Sequence, residues 1–218
     1  MKKRKKQIKA VIFDVGGVLE IENKPLKTIG KINHFGVHEY IAKKLKISLD
    51  QYFDSIDTNY ALSIEGKISE KKTISFLSKN LKTTSKKLIK LYKKAYKKNF
   101  KQNKQLFKQA FKLKQLGYKI TILSDQWYLS YRALMSDKKY KKFSPVIVSC
   151  FVGMRKPNPK IYKLTLKKLK LKPSECIFID NQEWNIKPAK KLGIKTILFK
   201  NNKQLFKDKI WRDLFYDK

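Results

Sequence analysis

The sequence predicts an α/β fold, a parallel sheet flanked by helices, with an all-helical segment inserted after the first strand. Three observations carry this reading. Five short apolar runs, "AVIFDV" (10–15), "KITILSD" (119–125), "PVIVSC" (145–150), "CIFID" (176–180) and "KTILF" (195–199), have the length and β-branched content of buried strands. The later runs alternate with segments of helical periodicity, and that alternation implies parallel pairing with helices on both faces. From about 23 to 98, amphipathic helical patterns follow one another without a strand-like run. A helical domain over 23–98 is therefore expected within a core built from 1–22 and 99–218.

The elements follow in order. The opening "MKKRKKQIKA" is charged like the start of a signal peptide, but the apolar run after it is short, is interrupted by Asp14 and has no small-residue cleavage site, so a cytoplasmic chain is expected. No apolar run approaches the roughly 20 residues of a membrane helix. The first strand runs to Asp14 and breaks at Gly16 and Gly17. Within "LSIEGKISEKKTISFLSKNL" (62–81), Gly66 marks a turn and Ser69 a helix start whose capping reach is toward Lys72. The segment 86–105 reads as one amphipathic helix with Leu88, Leu91, Tyr92, Tyr96 and Phe100 inward. Leu106, Phe107, Ala110, Phe111, Leu113 and Leu116 form the buried stripe of the next helix, closed by Gly117. The tail "KDKIWRDLFYDK" predicts a docking helix that buries Ile210, Trp211, Leu214 and Phe215.

Composition bounds the function. With 42% hydrophobic and 12% aromatic residues among 218, the chain can bury a sizeable core and is not a disordered one. Cys150 and Cys176, both in strand-like runs, suit reduced buried thiols rather than a disulfide framework or a metal site. The formal charge of +36 invites a nucleic-acid partner. Yet only four of the 53 basic residues are arginine (Arg4, Arg132, Arg155, Arg212), and the lysines are spread along the whole chain. Abundant Lys, Ile, Asn, Phe and Tyr share A/T-rich codons, so a compositional bias produces this surface, and no specific nucleic-acid partner is expected.

Ligands of a parallel α/β sheet gather beyond the carboxyl ends of its strands. At those ends stand Asp14, then Ser124 and Asp125, then Asp180 and Asn181, while "GMRKPNPKIY" follows the third run with Lys156 held in an extended loop before a proline. Two carboxylates close together need a cation between them, and hard oxygen ligands favour magnesium. A lysine and a hydroxyl beside that cation can hold a phosphate.

These segments resemble the four motifs of the haloacid dehalogenase superfamily: "VIFDVGGVL", "ILSD", "GMRKPNPKIY" and "CIFIDNQEWNIKPAKKLGIKTILF". "EGKISEKKTISFL" is similar to part of the small helical cap (C1 type) of many members, and glycine two residues after the first Asp resembles a subgroup with sugar-phosphate phosphatases and the phosphatase-like domain of epoxide hydrolases. The resemblance implies a Rossmann-like core and a magnesium-dependent phosphatase of a small phosphorylated metabolite. Asp14 is then the nucleophile. Ser124 and Lys156 bind the phosphate, with backbone amides such as those of Gly17 and Asp125 completing the cradle. Asp14, the Gly16 carbonyl, Asp180 and Asn181 are implied to hold Mg2+.

Three positions depart from the family pattern. Gly16 stands where most phosphatases carry a second Asp, the general acid, so Glu20 and Glu22 become candidate substitutes. Asn181 replaces an Asp and removes a charge from the metal site, and Asp125 replaces an Asn. A metal-independent dehalogenase-type hydrolase and a fold-retaining binding protein remain alternatives. His34 and His38, spaced i, i+4, lack an evident third metal ligand. Trp127 and Tyr128 either face substrate or pack against the cap. Substrate identity and oligomeric state are not legible.

Overall fold

The computed structural model describes residues 8–23 and 35–216. Its central sheet contains β1 (Ala10–Phe13), β4 (Lys119–Ser124), β5 (Val146–Val148), β6 (Cys176–Asp180) and β7 (Lys195–Leu198). The strands lie in the order β5-β4-β1-β6-β7, every neighbouring pair parallel. The most apolar run, AVIF, takes the centre because both its faces are covered. Val11 and Phe13 enter one core cluster with Ile122, Ile177 and Ile179, whereas Ala10 and Ile12 enter the other with Leu123 and Phe178. Helices α5 (Lys104–Gln115), α6 (Tyr128–Leu134), α8 (Pro159–Leu169), α9 (Glu183–Lys191), α10 (Asn202–Lys207) and α11 (Lys209–Tyr216) complete the core. No helix among the described residues is long and apolar enough to cross a membrane.

Between β2 (Glu20–Glu22) and β3 (Phe100–Gln102) the described residues form four helices: α1 (Phe35–Leu45), α2 (Leu49–Ile64), α3 (Glu70–Asn80) and α4 (Ser85–Asn99). Ser69 caps α3 by accepting from the Lys72 amide, as its position implies. Gly66 has φ +64°, and a Cβ there would lie 2.7 Å from the Cys150 carbonyl oxygen, so the turn after α2 needs glycine to approach α7 (Ser149–Val152).

Several boundaries differ from the sequence reading. β2 and β3 pair antiparallel, Glu20 opposite Gln102, so the single helix expected over 86–105 is cut by a strand and Phe100 belongs to β3. The third apolar run pairs only to Val148, and Cys150 lies in α7. In α11 Trp211 and Leu214 are buried, while Ile210 and Phe215 are only partly covered. His34 lies outside the described residues, and His38 Nδ1 is 2.9 Å from the Tyr52 hydroxyl.

Candidate functional site

Strand register assembles the site. Phe13 pairs with Ile122 and with Ile179, so Asp14, the next residue, arrives beside Asp180 and one residue short of Ser124. The Asp14 amide still donates to the Ile179 carbonyl at 3.0 Å, which fixes the acid where the ladder ends. The loop between α7 and α8 then delivers Lys156. Its Nζ lies 2.6 Å from Asp180 Oδ2 and 3.1 Å from Asp14 Oδ1, and 5.6 Å from the centre of the Phe178 ring. Among the described residues Lys156 is the one buried lysine.

Burial pushes the Asp14 carboxyl up to about 7, with the Lys156 charge pulling it down and Asp180 adding to the rise. Burial would lower the Lys156 ammonium, but Asp14, Asp180 and Asp125 outweigh it and hold the group above its ordinary value. The three side chains form a buried triad in which each charge depends on the others.

The Asp125 carboxylate is engaged by the neighbouring loop. Its Oδ1 accepts from the Lys156 amide at 3.0 Å, and Oδ2 lies 4.0 Å from Arg155 Nε, so this carboxylate pins the loop that presents the lysine. Burial raises its pKa, opposed by Lys156. Three further polar residues brace the site. Gln126 Nε2 donates to Ser124 Oγ at 3.1 Å, and Ser149 Oγ accepts from the Gln126 amide at 3.0 Å. Asn185 Nδ2 reaches both Asp180 oxygens, at 3.2 and 3.1 Å, while the Gln182 amide donates to Oδ1 at 2.7 Å. Sequence reasoning missed Gln126, Ser149 and Asn185; polar residues in the loop or first helical turn after a strand-end acid or serine are the signal that could have found them.

The two glycines after Asp14 differ. Gly17 has φ +78°, and a Cβ there would lie 2.7 Å from Asn181 Cγ, so glycine is demanded twice over. A Cβ on Gly16 meets nothing within 4 Å, so backbone and packing leave room for the missing acid. Neither substitute fills that role openly: Glu20 is buried and accepts from the Tyr140 hydroxyl at 2.7 Å, its carboxyl pushed by burial up to about 7. Glu22 is only half-buried, with its carboxyl raised by desolvation.

The donors suit a hard cation. Asn181 Oδ1 is a buried oxygen without a hydrogen-bond partner, and Asp14 Oδ1 is buried with the Lys156 ammonium as its charge partner at 3.1 Å. Among the described residues no group of three or more His, Cys, Asp or Glu is placed to hold a metal ion, so a cation here would rest on two carboxylates completed by amide and backbone oxygens. Trp127 is buried and packs edge-on against Tyr60 (5.1 Å) and Tyr92 (5.2 Å) of the helical insertion. The Tyr128 hydroxyl donates to the Ile68 and Cys150 carbonyls. Both aromatics therefore join the insertion to the core.

A family model, haloacid dehalogenase-like hydrolase, matches residues 8–193. The chain belongs to this family. It is 38% identical over 94 residues to bifunctional epoxide hydrolase 2 of Sus scrofa, covering 41% of this chain and 17% of that one. It is 37% identical over 98 residues to a glyceraldehyde 3-phosphate phosphatase of Pyrococcus furiosus, covering 42% and 39%. The matches thus span less than half the length of these relatives. Among solved structures, a haloacid dehalogenase family enzyme from Bacteroides thetaiotaomicron superposes with a TM-score of 0.72 at 20% identity over 92% of this chain and 99% of that one, and shares the fold. The same enzyme has been solved in complex with magnesium and inorganic phosphate.

Proposed function

We propose that this chain is a magnesium-dependent phosphatase of a small phosphorylated metabolite, working through an aspartyl phosphate on Asp14. The observation that carries the reading is the buried triad: a carboxylate at the end of the central strand, held 3.1 Å from a lysine that a second buried carboxylate fixes at 2.6 Å. A dehalogenating site needs no metal and would use Asp180 only to fix Lys156, so the metal-side place of this residue in the motif quoted above favours the phosphatase.

Asp14 attacks phosphorus as the bond to the leaving oxygen breaks, and water then cleaves the acyl phosphate at phosphorus. Ser124 Oγ, oriented by Gln126, donates to a phosphoryl oxygen, and the Asp125 amide adds a further donor; the Gly17 amide, expected from the sequence to join them, is spent on the Glu20 carbonyl at 2.7 Å. Lys156 opposes the rise that burial imposes on the Asp14 carboxyl, favouring its ionised form, and balances the charge that develops on the phosphoryl group. Asp14, the Gly16 carbonyl, Asn181 and Asp180 would hold the magnesium ion, which when bound neutralises the incoming dianion and so lets a carboxylate approach it. Asp180 also anchors Lys156, a second duty that leaves Asn181 Oδ1 the freer oxygen. With glycine at 16 no acid stands ready for the leaving group, so substrates with good leaving groups are favoured. The four helices between β2 and β3 act as the cap that closes over the rim and selects the substrate.

The test is release of phosphate from an aryl phosphate with and without magnesium, by the native chain and by Asp14→Asn. Turnover that needs magnesium and is lost in the variant is expected. Magnesium-independent hydrolysis of a 2-haloacid would instead assign the site to chemistry at carbon.

A further inference from the structure

Arg155 precedes the buried lysine of the triad but shares none of its burial. Its side chain is 43% exposed, and the nearest carboxylate, Asp125 Oδ2, is 4.0 Å from Nε, at the outer limit of an ion pair. Asp125 has already spent Oδ1 on the Lys156 amide. The guanidinium's fork of donors is thus held at the rim and left largely unspent. Of the other described arginines, Arg132 is committed to Glu70 and Arg212 is exposed on α11. In a chain that uses lysine for almost every cation, a forked donor beside the site is a distinct chemical choice.

The insertion packs on the loop that Arg155 approaches: Tyr60 of α2 lies 5.1 Å from Trp127, two residues after Asp125. The Arg155 charge lowers the pKa of Tyr60 and of Glu65, both on the helical insertion, although burial leaves Tyr60 above its ordinary value overall. Trp127 itself stands three residues after Ser124, so α2 meets the core close to the rim. The loop that carries Arg155 thus meets the same strand-end loop, 125–127, on which α2 packs, and the half-exposed guanidinium stands at that junction beside the buried lysine.

We propose that Arg155 is a specificity-determining residue that receives a second anionic group, a carboxylate or a phosphate, carried on the leaving-group part of the substrate. The inference rests on the phosphatase reading. A second anion replaces the loose contact with Asp125 by paired, charge-assisted hydrogen bonds, which a lysine cannot form in the same geometry.

Three probes of equal chain length separate the possibilities: propyl phosphate, 3-(phosphonooxy)propanoate and propane-1,3-diyl bisphosphate. An aryl phosphate serves as a control that tests the phosphatase reading alone. In the native chain, one or both of the doubly anionic probes should show a KM about tenfold or more below that of propyl phosphate. Which of the two does so identifies the anion. Arg155→Met should erase that advantage with kcat and the aryl phosphate kinetics within about twofold, and Arg155→Lys should restore it only in part. Equal losses on every substrate would make Arg155 a prop for the Lys156 loop and overturn the proposal. So would native kinetics blind to the second anion, or an unchanged preference in Arg155→Met. Failure of the native chain on the aryl phosphate itself would remove the phosphatase reading, and this inference with it.

Discussion

Replacing Lys156 by Met keeps the side chain's bulk and removes the one cation between two buried carboxylates. In the native chain its Nζ sits 2.6 Å from Asp180 and 3.1 Å from Asp14, with the lysine side chain 1% exposed. Each contact is worth about 4 kcal/mol or more in gross Coulomb energy at an effective dielectric near 20, set against desolvation that all three groups already bear. Deleting one partner leaves the rest of that penalty unopposed, and a loss of about 3–5 kcal/mol follows at pH 8.5. The sign of the pH dependence follows from Asp14. Its folded pKa is raised to about 7, so the stability tied to its protonated form is full below the unfolded value of 3.8 and is lost as pH rises through 7. Without Lys156 that pKa climbs further. At pH 6 Asp14 holds its proton in both proteins and the gap is smaller; above pH 7 the gap widens. Urea denaturation at the two pH values, in the presence of a chelator, measures it. The double variant Lys156→Met/Asp180→Asn removes one stranded charge and should recover about 1–3 kcal/mol relative to additivity. A single-variant loss below about 1 kcal/mol, or strict additivity, would refute the account of the triad.

The remaining predictions concern its neighbours. Asp at position 16 meets open space, so Gly16→Asp should fold with a stability change within about 1 kcal/mol and raise turnover of alkyl phosphates by up to about 10²–10⁴-fold, whereas Gly17→Ala, strained by φ +78° and by Asn181, should lose about 2 kcal/mol or more, much of it regained in an Asn181→Ala background. Asn181→Asp should tighten magnesium about tenfold or more in titrations of activity, and lower the melting temperature when a chelator is present, because a third acid is then left without its cation. Glu20, raised from 4.5 to about 7 by burial, contributes stability that is full below pH 4.5 and lost as pH rises through 7. Glu20→Gln keeps an acceptor for Tyr140 without the charge, so between pH 5 and pH 8 it should gain on the native chain by up to about 3 kcal/mol in urea unfolding.

Much of the fold was legible because its strands read as near-continuous apolar runs, and three of them, β1, β4 and β6, end on or beside a candidate site residue. Ser69 and Gly66 were legible because capping and left-handed turns are local. The β2/β3 ribbon was not: "EIE" and "FKQ" are three-residue strands whose partners lie some 80 positions apart, and nothing in either segment records that pairing. The aim of Asp125 was open in the sequence for the same reason, since its acceptor role depends on an amide in another loop. Trp127 could have faced substrate or the insertion; the tyrosines that decide it come from α2 and α4, far away in sequence.

The most direct test of the central claim is to trap the covalent intermediate. The chain is mixed with an aryl phosphate and magnesium, quenched in acid within one turnover, digested, and the peptide containing Asp14 is weighed. The account predicts that this peptide gains the mass of one phosphoryl group, that magnesium is required, and that Asp14→Asn shows no gain. Turnover without any such adduct, or an adduct on another residue, would contradict it.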